Sequence, residues 1–550
     1  MQVLLDESIL NHAKALIEKH GTDIWWASDE VDLLPPEYAD VAKDYIKGTD
    51  TMDVWFDSGS SWAAVASQRD GMSYPVDLYL EGSDQHRGWF QSSLLTSVAV
   101  NGVAPYKQVL THGFVLDEKG YKMSKSLGNV VDPRLVIEGG KDLKAQPGYG
   151  ADVLRLWVSS VNYASDVCIG DAIIKQNFDS YRKLRNTARF LLGSLHDYDP
   201  KEHAVPYEQL PSLDRYTLSV FDTFLAEATA AYDEYAFSRV YSLLQQFAVS
   251  DLSNFYLDIA KDRLYISASD EFRRRSCQTV MARLLGGFAA VLAPIMPHMA
   301  EDIWQRLPYP AEHESIFQAG WPAAAAAGAD EAAGWAKVRA LRDVVNKVLE
   351  EARTAKTIGS SLEAKLLIHT TDETLKAALE SLASAANDVD EPQWVFIASQ
   401  VELLDSADAV TAAAALGSRA DEALSATVGL ALADGTKCAR CWKYSTDVNV
   451  DSSATYYGVC GRCASALKYM KFAPVSSLEP VAAAEKAPAS PLPPMPEPAA
   501  PAAPVPDSPA VAAARRSVEA ATSKAAEKRG VATAKRSVAT AARAAVESAK

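Results

Sequence analysis

Apolar positions near the start of the chain recur three and four apart. In ESILNHAKALIEKHG, Ile9, Ala13, Leu16 and Ile17 fall on one helical face, and Gly21 stops the run. Between about 48 and 170 the rhythm changes. Short strand-like runs, VDLYLEG and QVLTHGFVLD, alternate with a helical stretch, DQHRGWFQSSLLTSVAVNG, which is the texture of an α/β domain with a parallel sheet. From about 171 to 310 the pattern is helical throughout, and IIKQNFDSYRKLRNTARFLLGSL and TVMARLLGGFAAVLAPIMPHMAEDIW predict a helical bundle. Residues 335–430 read as mixed: a helix (KVRALRDVVNKVLEEARTAK), Gly359, a strand (AKLLIHT), another helix and the apolar WVFIAS.

Composition narrows the classes. A chain of 550 residues has room for several cores. Its net charge of −17 argues against a general nucleic-acid coat, though not against one RNA bound through local basic patches. No apolar run approaches the ~20 residues that span a bilayer, and no signal-peptide pattern opens the chain, so no membrane role is expected. Six cysteines are too few for a disulfide scaffold and favour a reducing compartment. Beyond residue 474 a Pro/Ala-rich stretch reads as an extended linker. It leads to a tail, Arg515–Lys550, with nine basic and three acidic residues, either solvated or a binding segment.

Three stretches invite a chemical reading. In MDVWFDSGSSW an apolar run ends in small residues at 57–61, where a strand would give way to a turn that lets a ligand reach the backbone. Trp55 there either walls an apolar pocket or is plain core. In YLEGSDQHRGWFQSSLL a strand ends at Glu81, and Ser83 is placed to cap a helix carrying Asp84, Gln85 and Trp89. A strand end feeding a helix start is where open α/β sheets bind nucleotides, although a capped helix on a sheet reads the same way. In GYKMSKSLGN, Lys122 and Lys125 stand in a loop hinged by Gly120 and Gly128, beneath a strand expected to be buried. Ammonium groups on flexible stems suit a phosphate whose charge moves during reaction. A solvated surface turn would carry lysines too.

Cys438, Cys441, Cys460 and Cys463 form C-x2-C-x18-C-x2-C, a spacing that fits a closed tetrahedral Zn²⁺ site of structural type. Two disulfides or unbound thiols are the alternatives. Arg440, Trp442, Lys443, Arg462 and Lys468 would give the module a basic, aromatic surface suited to RNA. Cys168 and Cys277 read as ordinary buried thiols.

Taken together, KMSKS (122–126) with Leu127-Gly128-Asn129, MDVWFDSGSSW and YLEGSDQHRGWF resemble class I aminoacyl-tRNA synthetases, and isoleucyl-tRNA synthetases of bacterial type in particular. The resemblance covers roughly residues 1–470 and implies a multidomain fold of α/β and all-α parts. Residues 1–47 would be the end of an editing insertion. Residues 48–170 would be the C-terminal half of a Rossmann-type catalytic domain, and 171–320 a helical anticodon-binding domain. A mixed α/β junction would span 330–430, a zinc-ribbon module 431–472, and the linker and tail 473–550.

The resemblance further implies that Glu81, Asp84 and Gln85 hold an adenylate, that Trp55 and Trp89 line an isoleucine pocket, and that Lys122 and Lys125 engage ATP phosphates. ATP with Mg²⁺, isoleucine and tRNA(Ile) would be the substrates, and structural Zn²⁺ the resident metal. A monomer is expected, in a cytoplasm or in a chloroplast or mitochondrial matrix. The family's first signature, His-Ile-Gly-His, is not in the sequence, so the chain reads as the C-terminal portion of such an enzyme. A non-catalytic RNA-binding protein derived from one is the alternative.

Overall fold

The computed structural model describes residues 3–4, 6–323, 332–384, 389–453 and 455–470. The linker and tail expected at 473–550 lie outside the described residues. The Glu7–His20 helix is capped where Asp6 accepts from the Ser8 N–H, and it ends at Gly21, whose φ of 82° only glycine adopts readily. No residue of this helix is fully buried.

The α/β part is built on β1 (Val76–Gly82) and β2 (Tyr106–His112), paired in parallel with Glu81 opposite Thr111 and Gly82 opposite His112. The Trp89–Asn101 helix connects them. Side chains on a strand alternate between faces. Tyr79 is accordingly buried beneath Trp89, whereas Leu80 is 54% exposed. No residue of β2 is buried, so the strand before the lysine loop is not the buried one that its apolar pattern suggested. Among the described residues its one strand neighbour is β1. After Gly113 the chain forms β3 (Val115–Leu116), parallel to β4 (Val167–Cys168).

The helices Asp171–Ser194, Ser212–Asp233, Phe272–Leu292 and Pro297–Trp304 form the bundle. With them packs a long helical run from Phe237 through π-turns to Ile266. Phe224 stacks on Phe247 at 4.3 Å within it. A salt bridge is buried in the same interior: Arg263 reaches Asp214 through both terminal nitrogens, and Tyr256 donates to the same carboxylate. The Ala332–Thr354 helix packs on a four-stranded sheet of β5 (Ala364–Thr370), β6 (Gln400–Leu403), β7 (Gly417–Asp421) and β8 (Ala426–Leu432), in the order β6-β5-β8-β7. One continuous apolar core runs from Leu156 through the bundle to Leu430 on β8, so bundle and mixed region share an interior. A short hairpin, β9 (Thr436–Lys437) with β10 (Tyr444–Ser445), and the Gly461–Tyr469 helix close the described chain.

Candidate active site and metal centre

Two local expectations at the strand end are corrected. MDVWFDSGSSW is not a strand and turn: Asp53 accepts from the Trp55 N–H at 2.9 Å and caps a helix over Val54–Gly59. A good cap outweighs the weak strand preference of so short an apolar run. Nor does Ser83 cap a continuous helix. Ser83–Arg87 is a 3₁₀ turn, Gly88 breaks it, and the α-helix starts at Trp89. Gln85 supplies the missing acceptor, taking the Trp89 N–H at 2.9 Å.

These corrections draw the site residues together. A Cβ on Gly88 would lie 2.6 Å from the Gln85 Oε1 and 3.0 Å from the Trp55 ring, so only glycine lets the two side chains close over the helix start. Trp55 is 44% exposed, which removes the plain-core reading. Trp89 stacks on Tyr79 at 4.1 Å and donates through Nε1 to the Ser58 carbonyl at 3.0 Å. Such stacking is worth about 0.5–1.5 kcal/mol beyond burial and holds the indole still. Asp84 folds back over Gly82. Glu81 accepts from the Gly82 N–H at 2.9 Å and faces His112 across the strand pair at 3.8 Å. Trp55, Gln85 and Trp89 thus meet around Gly88, while Glu81 and Asp84 gather at Gly82 on the adjoining strand end. His112 is a neighbour that the sequence reading did not single out, and strand register was the missing information.

Gly113 carries the chain from that strand end toward β3 and the lysine loop. It donates to the Tyr163 carbonyl at 2.8 Å, and any Cβ there would strike the backbone of Ser165. Lys122 pairs with Leu116 in a short antiparallel bridge, and its ammonium lies 5.3 Å from the centre of the Phe114 ring. Lys125 is exposed at the loop tip. Neither lysine enters an ion pair among the described residues. Gly120 (φ 81°) and Gly128 (φ 68°) make the turns on either side. Met123 anchors the loop from below, against the cluster that holds Val136, Val153 and Trp157.

At the second centre the four sulfurs of Cys438, Cys441, Cys460 and Cys463 lie within 4.8 Å of one another, with Cys441 and Cys460 at 3.8 Å. A tetrahedron with Zn–S bonds near 2.3 Å has edges of about 3.8 Å, so the donor set fits a thiolate-bound zinc. The cysteines are all free, which removes the disulfide alternative. Second-layer hydrogen bonds hold the sulfurs: the Cys460 N–H points at the Cys438 sulfur at 3.3 Å. No ligand position is left open for chemistry, so the centre is structural. Cys277 is buried, and burial pushes its thiol up to about 11; Cys168, contrary to expectation, is only half-buried.

The basic, aromatic surface expected around this centre is only partly there. Arg462 grips Asp262 of the bundle with both terminal nitrogens, the longer contact being 2.9 Å. Arg273 reaches the same carboxylate at 3.2 Å. Lys443 is buried, with its ammonium 3.2 Å from the centre of the Trp394 ring, and Arg462 and Arg273 stack on that ring at 4.2 and 4.9 Å. Burial drives the Lys443 amine well below its ordinary value. Asp262 is held below the usual carboxylate range, its burial outweighed by Arg462, Arg273 and Lys443. Trp442 stays 62% exposed. The docking residues Asp262 and Trp394 were invisible in sequence because nothing near them in the chain marks their partners.

A parallel strand pair with an aromatic-lined strand end, a lysine loop, a helical bundle and a four-cysteine module together fit a class I aminoacyl-tRNA synthetase. The family model for class I tRNA synthetases (I, L, M and V) matches residues 1–170. That for the anticodon-binding domain of tRNA ligases matches 214–368, and that for the zinc finger found in FPG and IleRS matches 435–466. The chain belongs to the class I synthetases, on the isoleucine–tRNA ligase branch. It is 56% identical over 479 residues to the isoleucine–tRNA ligase of a Synechococcus species, covering 85% of this chain and 49% of that protein. The isoleucine–tRNA ligase of Rippkaea orientalis is 56% identical over 470 residues, covering 84% and 48%. The chain therefore spans about half the length of these relatives. Among solved structures, Mycobacterium tuberculosis methionyl-tRNA synthetase in complex with methionyl-adenylate matches with a TM-score of 0.39 and 22% identity, over 48% of this chain and 52% of that one.

Proposed function

We propose that the chain works in isoleucine–tRNA ligation, contributing the adenylate cleft, the phosphate loop, the anticodon-binding helices and the zinc module. The reaction joins isoleucine to ATP as the adenylate and then passes the acyl group to tRNA(Ile). Glu81, Asp84 and Gln85 hold the adenylate, and Trp55 and Trp89 form the apolar wall for the isoleucine side chain. Lys122 and Lys125 neutralise the phosphates as pyrophosphate leaves, which lowers the barrier because the charge they meet is largest in the transition state. Mg²⁺ enters with ATP and shares that charge. One methylene in such a pocket discriminates by only ~1–3 kcal/mol, which is why an editing insertion, here ending near residue 47, accompanies the chemistry. The domain division given above, a monomeric state and a reducing compartment belong to the same reading.

The observation that carries it is the lysine loop: two exposed lysines without carboxylate partners among the described residues, in the turn that follows β2 and β3. The test is isoleucine-dependent ATP–pyrophosphate exchange, with the chain alone and with a separately supplied front half of the Synechococcus relative. Exchange in either case supports the ligase. No exchange in both would leave an RNA-binding protein without catalysis.

A further inference from the structure

Asn129 sits at the end of the lysine loop and holds three parts of it at once. Its Nδ2 donates to the Asp117 carboxylate at 2.9 Å and to the Lys122 carbonyl at 3.3 Å. Its Oδ1 accepts from the Ser124 N–H at 2.9 Å. Asp117 is occupied on its other oxygen, which accepts from the N–H groups of Lys119 (3.0 Å) and Tyr121 (2.8 Å). The bond from Asn129 is the leading cause that keeps the Asp117 carboxyl below its ordinary value. The crown between is closed by bonds from the Leu127 and Gly128 N–H groups to the Ser124 carbonyl, both 3.2 Å.

The two lysines flank this arrangement. Lys122 is tied through its own carbonyl, and Ser124, the immediate neighbour of Lys125, is tied through its amide. We infer that Asp117 and Asn129 form a clasp that sets the spacing and facing of the Lys122 and Lys125 ammonium groups, making Asn129 a positioning residue for phosphate binding. The inference rests on the loop's assignment to ATP phosphates. Both ends of the Asn129 amide are engaged within the loop. Its contribution is to hold the loop backbone in one shape, so that ordering two flexible stems is not added to the barrier. A positioning error near 1 Å costs a reaction up to ~10²-fold.

The test combines amide hydrogen exchange on the full chain with the pyrophosphate exchange assay described above. The wild type is expected to protect the Ser124 and Tyr121 amides. Asn129→Ala should lose protection at Ser124 while β1 and β2 keep theirs. It should lower kcat for exchange roughly 10- to 100-fold, with KM for isoleucine unchanged. Asn129→Asp sets two carboxylates face to face and should do at least as much harm. The reciprocal double variant, Asp117→Asn with Asn129→Asp, restores one donor and one acceptor in reversed order. It should recover Ser124 protection but only part of the rate, because the carboxylate at 129 accepts from the Ser124 N–H and cannot donate to the Lys122 carbonyl; a loop that had merely been loosened would recover neither. Equal Ser124 exchange in wild type and Asn129→Ala overturns the clasp, whether or not the chain is active. A Ser124 amide freed in Asn129→Ala with an unchanged rate overturns the positioning role and leaves the ligase reading standing. An inactive wild type counts against the ligase reading, and with it against positioning, while the clasp is still judged by hydrogen exchange.

Discussion

The lysine loop and the zinc module look alike as strings of letters, each a short polar stretch rich in cations, and the fold treats them in opposite ways. Lys122 and Lys125 are exposed and meet no carboxylate among the described residues, although the Lys122 ammonium lies by the Phe114 ring. Arg462 and Lys443 turn inward, around Asp262 and the face of Trp394. The triple Arg273-Arg274-Arg275 goes further: on sequence it is the most basic run in the bundle, yet all three side chains are buried. Arg274 and Arg275 pair with Asp197, and Arg275 also with Asp270. A cation left free on a surface is available to a ligand, whereas one that holds an interface is not.

Removing the metal is the strongest way to break this contrast. The module should bind about one Zn²⁺ per chain, and metal analysis of Cys438→Ser with Cys460→Ser should find none. Structural zinc supplies about 10–16 kcal/mol in isolated modules, so the fold around 436–469 should be lost and Trp394 fluorescence should change. The lysine loop, which among the described residues shares no hydrogen bond or ion pair with the centre, should keep its hydrogen-exchange pattern. Next in size is Lys125→Ala, expected to slow adenylate formation about 10²- to 10³-fold, as loss of one transition-state donor does, with isoleucine binding and urea stability unchanged. A collapse of isoleucine affinity instead would refute the role given to the loop.

Asp262→Asn inverts that outcome. It leaves Arg462, Arg273 and Lys443 crowded on one indole without a counter-charge. The expected loss is about 2–3 kcal/mol in urea unfolding, between the values for exposed and fully buried pairs. The smallest effect is on acid stability. Burial alone would raise the Asp197 pKa, but Arg274, Gln278 and Arg275 outweigh it and bring it from 3.8 down to about 2. A depressed carboxylate stabilises the fold above its unfolded pKa and ceases to do so as it protonates. Melting temperature should therefore lose this contribution between about pH 4 and pH 2, and Asp197→Asn should flatten that part of the profile.

Much of the fold was legible in advance. The Glu7–His20 helix, β1, β5, the bundle helices and the cysteine set follow from short-range patterns that the structure keeps. The strand proposed at 52–57 failed because a single cap, Asp53, decides between helix and strand in so short an apolar run. The helix expected at Ser83 failed because Gly88 breaks it and Gln85 caps the next one. At the candidate site, Glu81, Gln85, Trp89 and the two lysines were visible as motif positions. His112 was not, since it comes to face Glu81 only through parallel register with β1.

By itself the sequence determined the order of elements, the metal-binding donor set and the presence of a glycine-hinged lysine loop. These depend on neighbours a few positions apart, and periodicity, capping and ligand spacing are local properties. Only the tertiary structure decided which cations are free and which are spent. Arg462 and Asp262 are 200 positions apart, and Arg274 and Asp197 are 77. Charges brought together over such distances exchange hydration for each other only after the chain has folded, and no local pattern records that exchange.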